Sequence, residues 1–338
     1  MACRGIPGGL SRSQEHPESR GSRVKSARER EPGETASGER EQVMSLMQVQ
    51  SFVAGNWVTP QTGLAPLHNA FTGALIGHAG TGAPDVMAMY RHALAHGGPA
   101  LRAMTFHDRA RMLKALAQYL SARKAELYEL SYLTGATKSD SRIDIDGGIG
   151  TMFVFASKGR REMPDAHVYL DGDVEMLSRG GSFVGQHVCT PLQGVAVHIN
   201  AFNFPVWGML EKLAPALLAG MPAIVKPATV TGYLAEAAFR MILESGCLPD
   251  GAVQFVSGRL GPLLDELGPQ DAVSFTGSAD TALTLRGTPN LLRNAVRFAA
   301  EQDSLNATIL GADVAVGDPE FDLFVKEVVT EITAKAGQ

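Results

Sequence analysis

An α/β fold built on an open sheet of parallel strands is the expectation for the second half of this 338-residue chain, and two observations carry it. After Pro191, short apolar runs alternate regularly with stretches of helical periodicity, the order of a parallel sheet whose strands are joined by helices. The loops that end those runs are small and polar and open the next helix, as at the ligand crevice of such sheets. In order, GVAVHI (194–199) reads as a strand, Pro205 to Ala219 as a helix, PAIVK (222–226) as a strand and Tyr233 to Ser245 as a helix. VQFVS (253–257), a short helix near Leu263, AVSFTG (272–277) and a helix after Ser278 continue the series. The loops after Ile199, Val225, Ser257 and Phe275 therefore fall at the carboxyl edge, where a ligand binds. No G-x-G-x-x-G fingerprint is present.

Ahead of this region, QSFVAGNWV (50–58) reads as a hairpin turning at Gly55–Asn56, in a small surface sheet. Thr105 is the expected N-cap of an amphipathic helix carrying Leu113, Leu116, Ala117 and Leu120, and helices continue to about Lys158. Residues 168–190 alternate and are glycine-rich, a strand excursion that is a candidate oligomerisation arm. Residues 1–46 are rich in Arg, Glu, Ser, Gly and Pro, and the first aromatic is Phe52, so this extension is expected to be disordered. Met44 or Met47 is an alternative start, and a regulatory tail is the competing reading.

With 45% hydrophobic and 19% charged residues the chain reads as a globular protein large enough for two lobes. A formal charge of -5 gives no global attraction to nucleic acid or to anionic membranes, so small molecules are the expected partners. Cys3, Cys189 and Cys247 are far apart and odd in number, which suits a reducing compartment and supplies no zinc spacing. Without a membrane-length apolar run or a targeting pattern, the cytoplasm is the expected location and no metal is expected.

Four motifs in fixed order narrow the function: INAFNFP (199–205), IVKPATVT (224–231), SFTGSADT (274–281) and AAEQDSLN (299–306). Together they resemble the aldehyde dehydrogenase superfamily, from about Gln48 to Gln338. Within it, ALRAMTF, TGATKSD, DIDGGIG and EQDSLN look closest to the dehydrogenase half of the bifunctional ring-opening proteins of phenylacetate degradation, with benzoyl-CoA-pathway dehydrogenases a near second. The resemblance implies a Rossmann-type cofactor domain. Residues 47–338 would then be the N-terminal and cofactor-binding region, with 191–311 the core of its sheet and 312–338 the start of a catalytic domain that is largely missing.

The resemblance also assigns roles. Asn203 matches the amide that donates to the oxyanion of the thiohemiacetal, although Asn is equally suited to cap the helix opening at Pro205. Glu301 matches the general base that activates water, and the apolar flank Phe298-Ala299-Ala300 suggests burial that would raise its pKa. Lys226 matches the lysine that holds the adenosine ribose. Thr229 stands where NAD-preferring members commonly carry Glu, which favours NADP, with NAD as the alternative. Gly277 and Ser278 match the phosphate-facing turn, and Gly258 and Gly261 match small residues near the adenine, against the plain readings of N-cap and turn glycine.

The family's nucleophilic cysteine follows two residues after a Gly-Gln pair, and Gly337-Gln338 are the last residues here, so the resemblance places that thiol just past Gln338. The expected function is thus that of an N-terminal fragment, inactive alone, of an NADP-dependent dehydrogenase. The complete protein would be a homo-oligomer that oxidises a CoA-linked semialdehyde from aromatic ring cleavage. A free-semialdehyde dehydrogenase and a non-catalytic nucleotide-binding protein are the alternatives.

Overall fold

The computed structural model describes residues 46–303 and 307–337; the N-terminal extension and Cys3 lie outside them. Among the described residues, twelve strands form three sheets. β1 (Met47–Val49), β4 (Leu64–His68) and β5 (Leu75–Gly80) make a small sheet in the order β1-β5-β4. β2 (Ser51–Val53) and β3 (Asn56–Val58) form the expected hairpin, but two details differ. Val53 pairs with Asn56, so the turn is Ala54-Gly55, both at positive φ. The pair also does not stand alone: β2 runs antiparallel along β10 (Val253–Phe255) and extends the main sheet, because Phe52 packs on Phe239 of the sheet's own core.

The main sheet has seven strands in the order β12-β11-β8-β9-β10-β2-β3. Its parallel members are β8 (Ala196–Ile199), β9 (Ala223–Lys226), β10, β11 (Ala272–Thr276) and β12 (Arg297–Glu301). The chain steps from β8 outward to β9 and β10, then returns to the other side of β8 for β11 and β12. That reversal opens a crevice at the carboxyl ends of β8 and β11. β8 is buried on both faces, which is why it reads as a continuous apolar run interrupted only by His198.

Helices cover both faces. α1 (Val86–His92) and α2 (Gly98–Arg102) precede two long helices, α3 (Phe106–Ser131) and α4 (Lys138–Arg161). Each long helix opens with a capping box, Thr105 with Asp108 and Thr137 with Asp140, in which hydroxyl and carboxylate satisfy each other's backbone N–H groups. α3 and α4 join α5 (Trp207–Leu218) and α6 (Gly232–Glu244) in one apolar core on one face of the sheet. The other face packs against α1, α7 (Leu263–Glu266), α8 (Ala279–Arg286) and α9 (Pro289–Arg293).

Two elements stand apart from these layers. β6 (Tyr169–Met176) and β7 (Val184–Cys189) form a two-stranded antiparallel ribbon exposing Leu170, Val174, Met176, Phe183 and Val188. α10 (Pro319–Thr333) buries no residue. No helix among the described residues is long and apolar enough to cross a membrane.

Candidate active site and cofactor crevice

Strand register sets the site. Ile199 pairs with Lys226 on one side and with Phe275 on the other, while Thr276 pairs with Glu301. The carboxyl edge of the sheet thus presents, in spatial order, Glu301, Thr276, Ile199 and Lys226. Neighbouring strands lie about 4.8 Å apart, so Glu301 and Lys226 are separated by three spacings, roughly 15 Å, with the crevice between them.

Asn203 sits on the loop after β8, half-buried, and shares a cleft of about 250 Å³ with Glu301, Thr276, Trp207 and Glu211. The two residues assigned to the chemistry are therefore brought together. The helix-cap reading of Asn203 fails: α5 begins at Trp207, and its N-terminal N–H groups are satisfied from another helix. Asp144 of α4 accepts from Trp207 N at 2.8 Å and from Val206 N at 3.2 Å. This leaves the Asn203 amide free of the capping role.

Glu301 departs from expectation. It ends β12, an edge strand, and is exposed, because Ala299 and Ala300 are too small and too far out on the sheet to cover it. What holds the carboxylate is Thr276, whose Oγ1 donates to Oε2 at 3.2 Å. The Glu301 carbonyl accepts from Gly277 N at 3.1 Å, which ties the motif after β11 to the end of β12.

Ser278 is the N-cap of α8, accepting from Thr281 N at 3.3 Å, so the plain reading holds for its side chain. Ala279 N donates to Asp303 Oδ2 at 3.1 Å. The helix end expected to face a pyrophosphate thus already holds an anion, the protein's own carboxylate.

On the other side of the crevice Lys226 is half-buried, and its Nζ donates to Pro227 O at 3.0 Å. Burial alone acts on this ammonium, lowering its pKa, with no charge partner contributing. Thr229 and Gly258 line one shallow cleft with Pro227, Gly232 and Ser257, and among the described residues no carboxylate borders it. Gly258 has φ +125°, and a Cβ there would lie 2.0 Å from Gly82 O, so the β10 loop and the loop after β5 meet backbone to backbone. This is a structural requirement independent of any ligand. Gly261, at φ +50°, is likewise a turn glycine.

Sequence reasoning missed the acids beneath the site. Asp144 is 1% exposed, and burial pushes its pKa up to about 6, with Trp207 N, the Lys335 charge and Val206 N acting in the opposite direction. Asp140, one turn earlier, is also buried; burial opposes its ionisation, but hydrogen bonds from Thr137 and Lys335 outweigh this and hold its pKa below the usual range. His198, under α5, is fully buried with Nδ1 lacking a partner, and burial followed by the Lys212 charge lowers its pKa to about 3. The legible signal was two acids four residues apart, one on each turn of an otherwise apolar helix face.

Neither described cysteine reaches the cleft. Cys189 is exposed at the end of the ribbon, and Cys247 follows α6 with its Sγ 3.6 Å from Ser245 O. Among the described residues no group of three His, Cys, Asp or Glu side chains could hold a metal.

Comparison with known proteins bears on the family and the fold. Residues 57–338 match the family model described as the aldehyde dehydrogenase family. The chain is 44% identical over 293 residues to 3,4-dehydroadipyl-CoA semialdehyde dehydrogenase of Aromatoleum evansii, covering 86% of this chain and 57% of that protein. It is 26% identical to alpha-ketoglutaric semialdehyde dehydrogenase of Bacillus subtilis, over 85% of this chain and 57% of that one. Among solved structures, a putative aldehyde dehydrogenase from Burkholderia cenocepacia superposes with a TM-score of 0.73 at 26% identity, covering 86% of this chain and 57% of that chain. Betaine aldehyde dehydrogenase of Staphylococcus aureus, in complex with NAD+, shares the fold with a TM-score of 0.68 at 21% identity, covering 84% and 55%. The chain spans a little over half the length of these relatives. On the family match, the ordered motifs and the shared sheet, this chain belongs to the aldehyde dehydrogenase family.

Proposed function

We propose that this chain supplies the NADP site, the oxyanion donor and the water-activating carboxylate of a dehydrogenase that oxidises a CoA-linked semialdehyde from aromatic ring cleavage to the acid. The observation that carries the reading is the convergence of Asn203 and Glu301 on one cleft at the switch point of the sheet. In this reading the Asn203 amide donates to the oxygen that becomes negative when a thiol adds to the aldehyde. The nicotinamide cofactor supplies the hydride acceptor. Glu301, oriented by Thr276, takes the proton of the water that attacks the resulting thioester. The thiol must come from a residue other than Cys189 or Cys247, since neither borders the cleft.

What supports NADP over NAD in this reading is the cleft around Thr229, which no described carboxylate lines, and Lys226, whose partly desolvated charge favours an anionic or ribose-bearing neighbour. The CoA-linked substrate is supported by the relative whose name states such a semialdehyde; phenylacetate catabolism, with the benzoyl-CoA pathway second, is proposed on the motif resemblance alone. Calorimetric titration of the chain with NADP and with NAD tests the first point; tighter binding of NAD refutes it. Turnover of ring-cleavage thioester semialdehydes against the corresponding free semialdehydes by the full-length enzyme tests the second.

A further inference from the structure

The face of α4 that carries Asp140 and Asp144 reaches two different walls of the site. Residues four apart lie one above the other on a helix, so both carboxylates point the same way. Asp144 accepts from Val206 N and Trp207 N, directly after the loop that carries Asn203; its Oδ1 receives the two shorter bonds, and Val206 N also reaches Oδ2 at 3.4 Å. Asp140 Oδ1 accepts from Lys335 N at 2.8 Å, while its Oδ2 closes the Thr137 capping box. The Lys335 ammonium then lies over the Phe204 ring, 4.7 Å from its centroid, next to Asn203. Phe204 in turn meets Trp207 edge-on at 5.9 Å. The supporting surface is tight: a Cβ at Gly147 or Gly148, on the next turn of α4, would lie 2.5 Å from the Trp207 ring or 2.8 Å from its Cα.

We propose that Asp144 and Asp140 are positioning residues, a two-carboxylate clamp on one helix that holds the Asn203 loop and the Lys335 segment in register with each other. The clamp rests on the reading of Asn203 as the oxyanion donor only for its purpose; its existence is a matter of two backbone anchors. Neither carboxylate borders the Asn203–Glu301 cleft, so both act through the backbone they anchor.

The test is spectroscopic and does not depend on activity or cofactor. In a Trp57→Phe background Trp207 is the sole tryptophan. There, Asp144→Ala is expected to red-shift Trp207 emission. It should also raise amide exchange in peptides spanning Val206 and Trp207 by about 10-fold or more, as for a lost charge-assisted hydrogen bond. Asp144→Asn keeps an Oδ1 acceptor and is expected to restore both readouts to near the parent. Asp140→Ala is expected to speed exchange at the Lys335 amide and, through the Lys335–Phe204 contact, to alter Trp207 emission. Circular dichroism reports whether each variant is folded, and the Asn variant serves where Ala is not. Unchanged Trp207 emission and exchange in folded Asp144→Ala, or an Asn variant that behaves as Ala does, would overturn the clamp. Failure of NADP binding would instead count against the proposed function alone.

Discussion

Replacing Asp144 by Asn should stabilise the protein at neutral pH and cease to do so in acid. Asp144 is buried, and its pKa in the folded state is pushed up from 3.8 to about 6. Between those two values the folded protein binds a proton that the unfolded chain releases, so stability falls as pH rises through this window and the loss is complete above about pH 6. A shift of about two units corresponds to about 3 kcal/mol at pH 7, about 1 kcal/mol at pH 4.5 and almost nothing at pH 3. Asn carries no charge at any of these values and retains an oxygen to accept from Val206 and Trp207. Its Nδ2 would lack a clear partner, which offsets the gain by about 1 kcal/mol. The expected outcome is a variant more stable than the parent by about 2 kcal/mol at pH 7, level with it near pH 4.5 and less stable by about 1 kcal/mol at pH 3. Urea unfolding of both proteins at pH 7, 4.5 and 3 measures it, because taking the difference at each pH removes the titration of every other group. A stability gap that is the same at all three pH values would refute the reasoning, since it would mean that the carboxylate is not perturbed by its burial.

Other outcomes follow from the same geometry. Thr229→Glu places a carboxylate in the acid-free cleft and is expected to weaken NADP binding about 10- to 100-fold with a much smaller effect on NAD, read by titration calorimetry. Asp303→Asn weakens the anion at the start of α8 and is expected to tighten NADP binding several-fold; weaker binding would show that Asp303 supports the site rather than competes for it. Gly258→Ala forces a Cβ against Gly82 O and is expected to destabilise by about 3 kcal/mol, visible as a fall in Tm. The chain as described is expected to form no NADPH from aldehydes, and Cys189→Ala or Cys247→Ala abolishing a measurable rate would contradict that. The apolar ribbon formed by β6 and β7 is expected to mediate self-association, so charged substitutions at Leu170 and Val188 should lower the mass measured by light scattering.

The alternation of apolar runs and helical stretches after Pro191 determined the parallel sheet, because strands buried on both faces and joined by helices have few other arrangements. The capping signal at Thr105 was equally local and equally legible, since hydroxyl, carboxylate and backbone all lie within four residues. Pairing was not. That the Phe52 hairpin extends the main sheet depends on Phe239 and Phe255, roughly 190 to 200 residues further along the chain. The small sheet of β1, β4 and β5 escaped notice because Leu64–His68 and Leu75–Gly80 lack clean alternation and are punctuated by Pro66 and Gly77.

For the candidate site, motif order alone pointed to Asn203, Glu301, Lys226 and Thr229; Lys226 and Glu301 end their strands, and Asn203 and Thr229 lie four and three residues past the ends of β8 and β9. The exposure of Glu301 was a tertiary outcome: an apolar flank buries a carboxylate only in the middle of a sheet, and β12 is at its edge. The same holds for the anchoring of α5. Asp144 lies 62 residues before Val206, and only the packing of α4 on α5 brings its carboxylate to that helix end. Sequence set the strands, the helices and the order of the chemical groups, because those are written in local periodicity and capping; tertiary packing decided which groups are buried, paired or left to face the crevice.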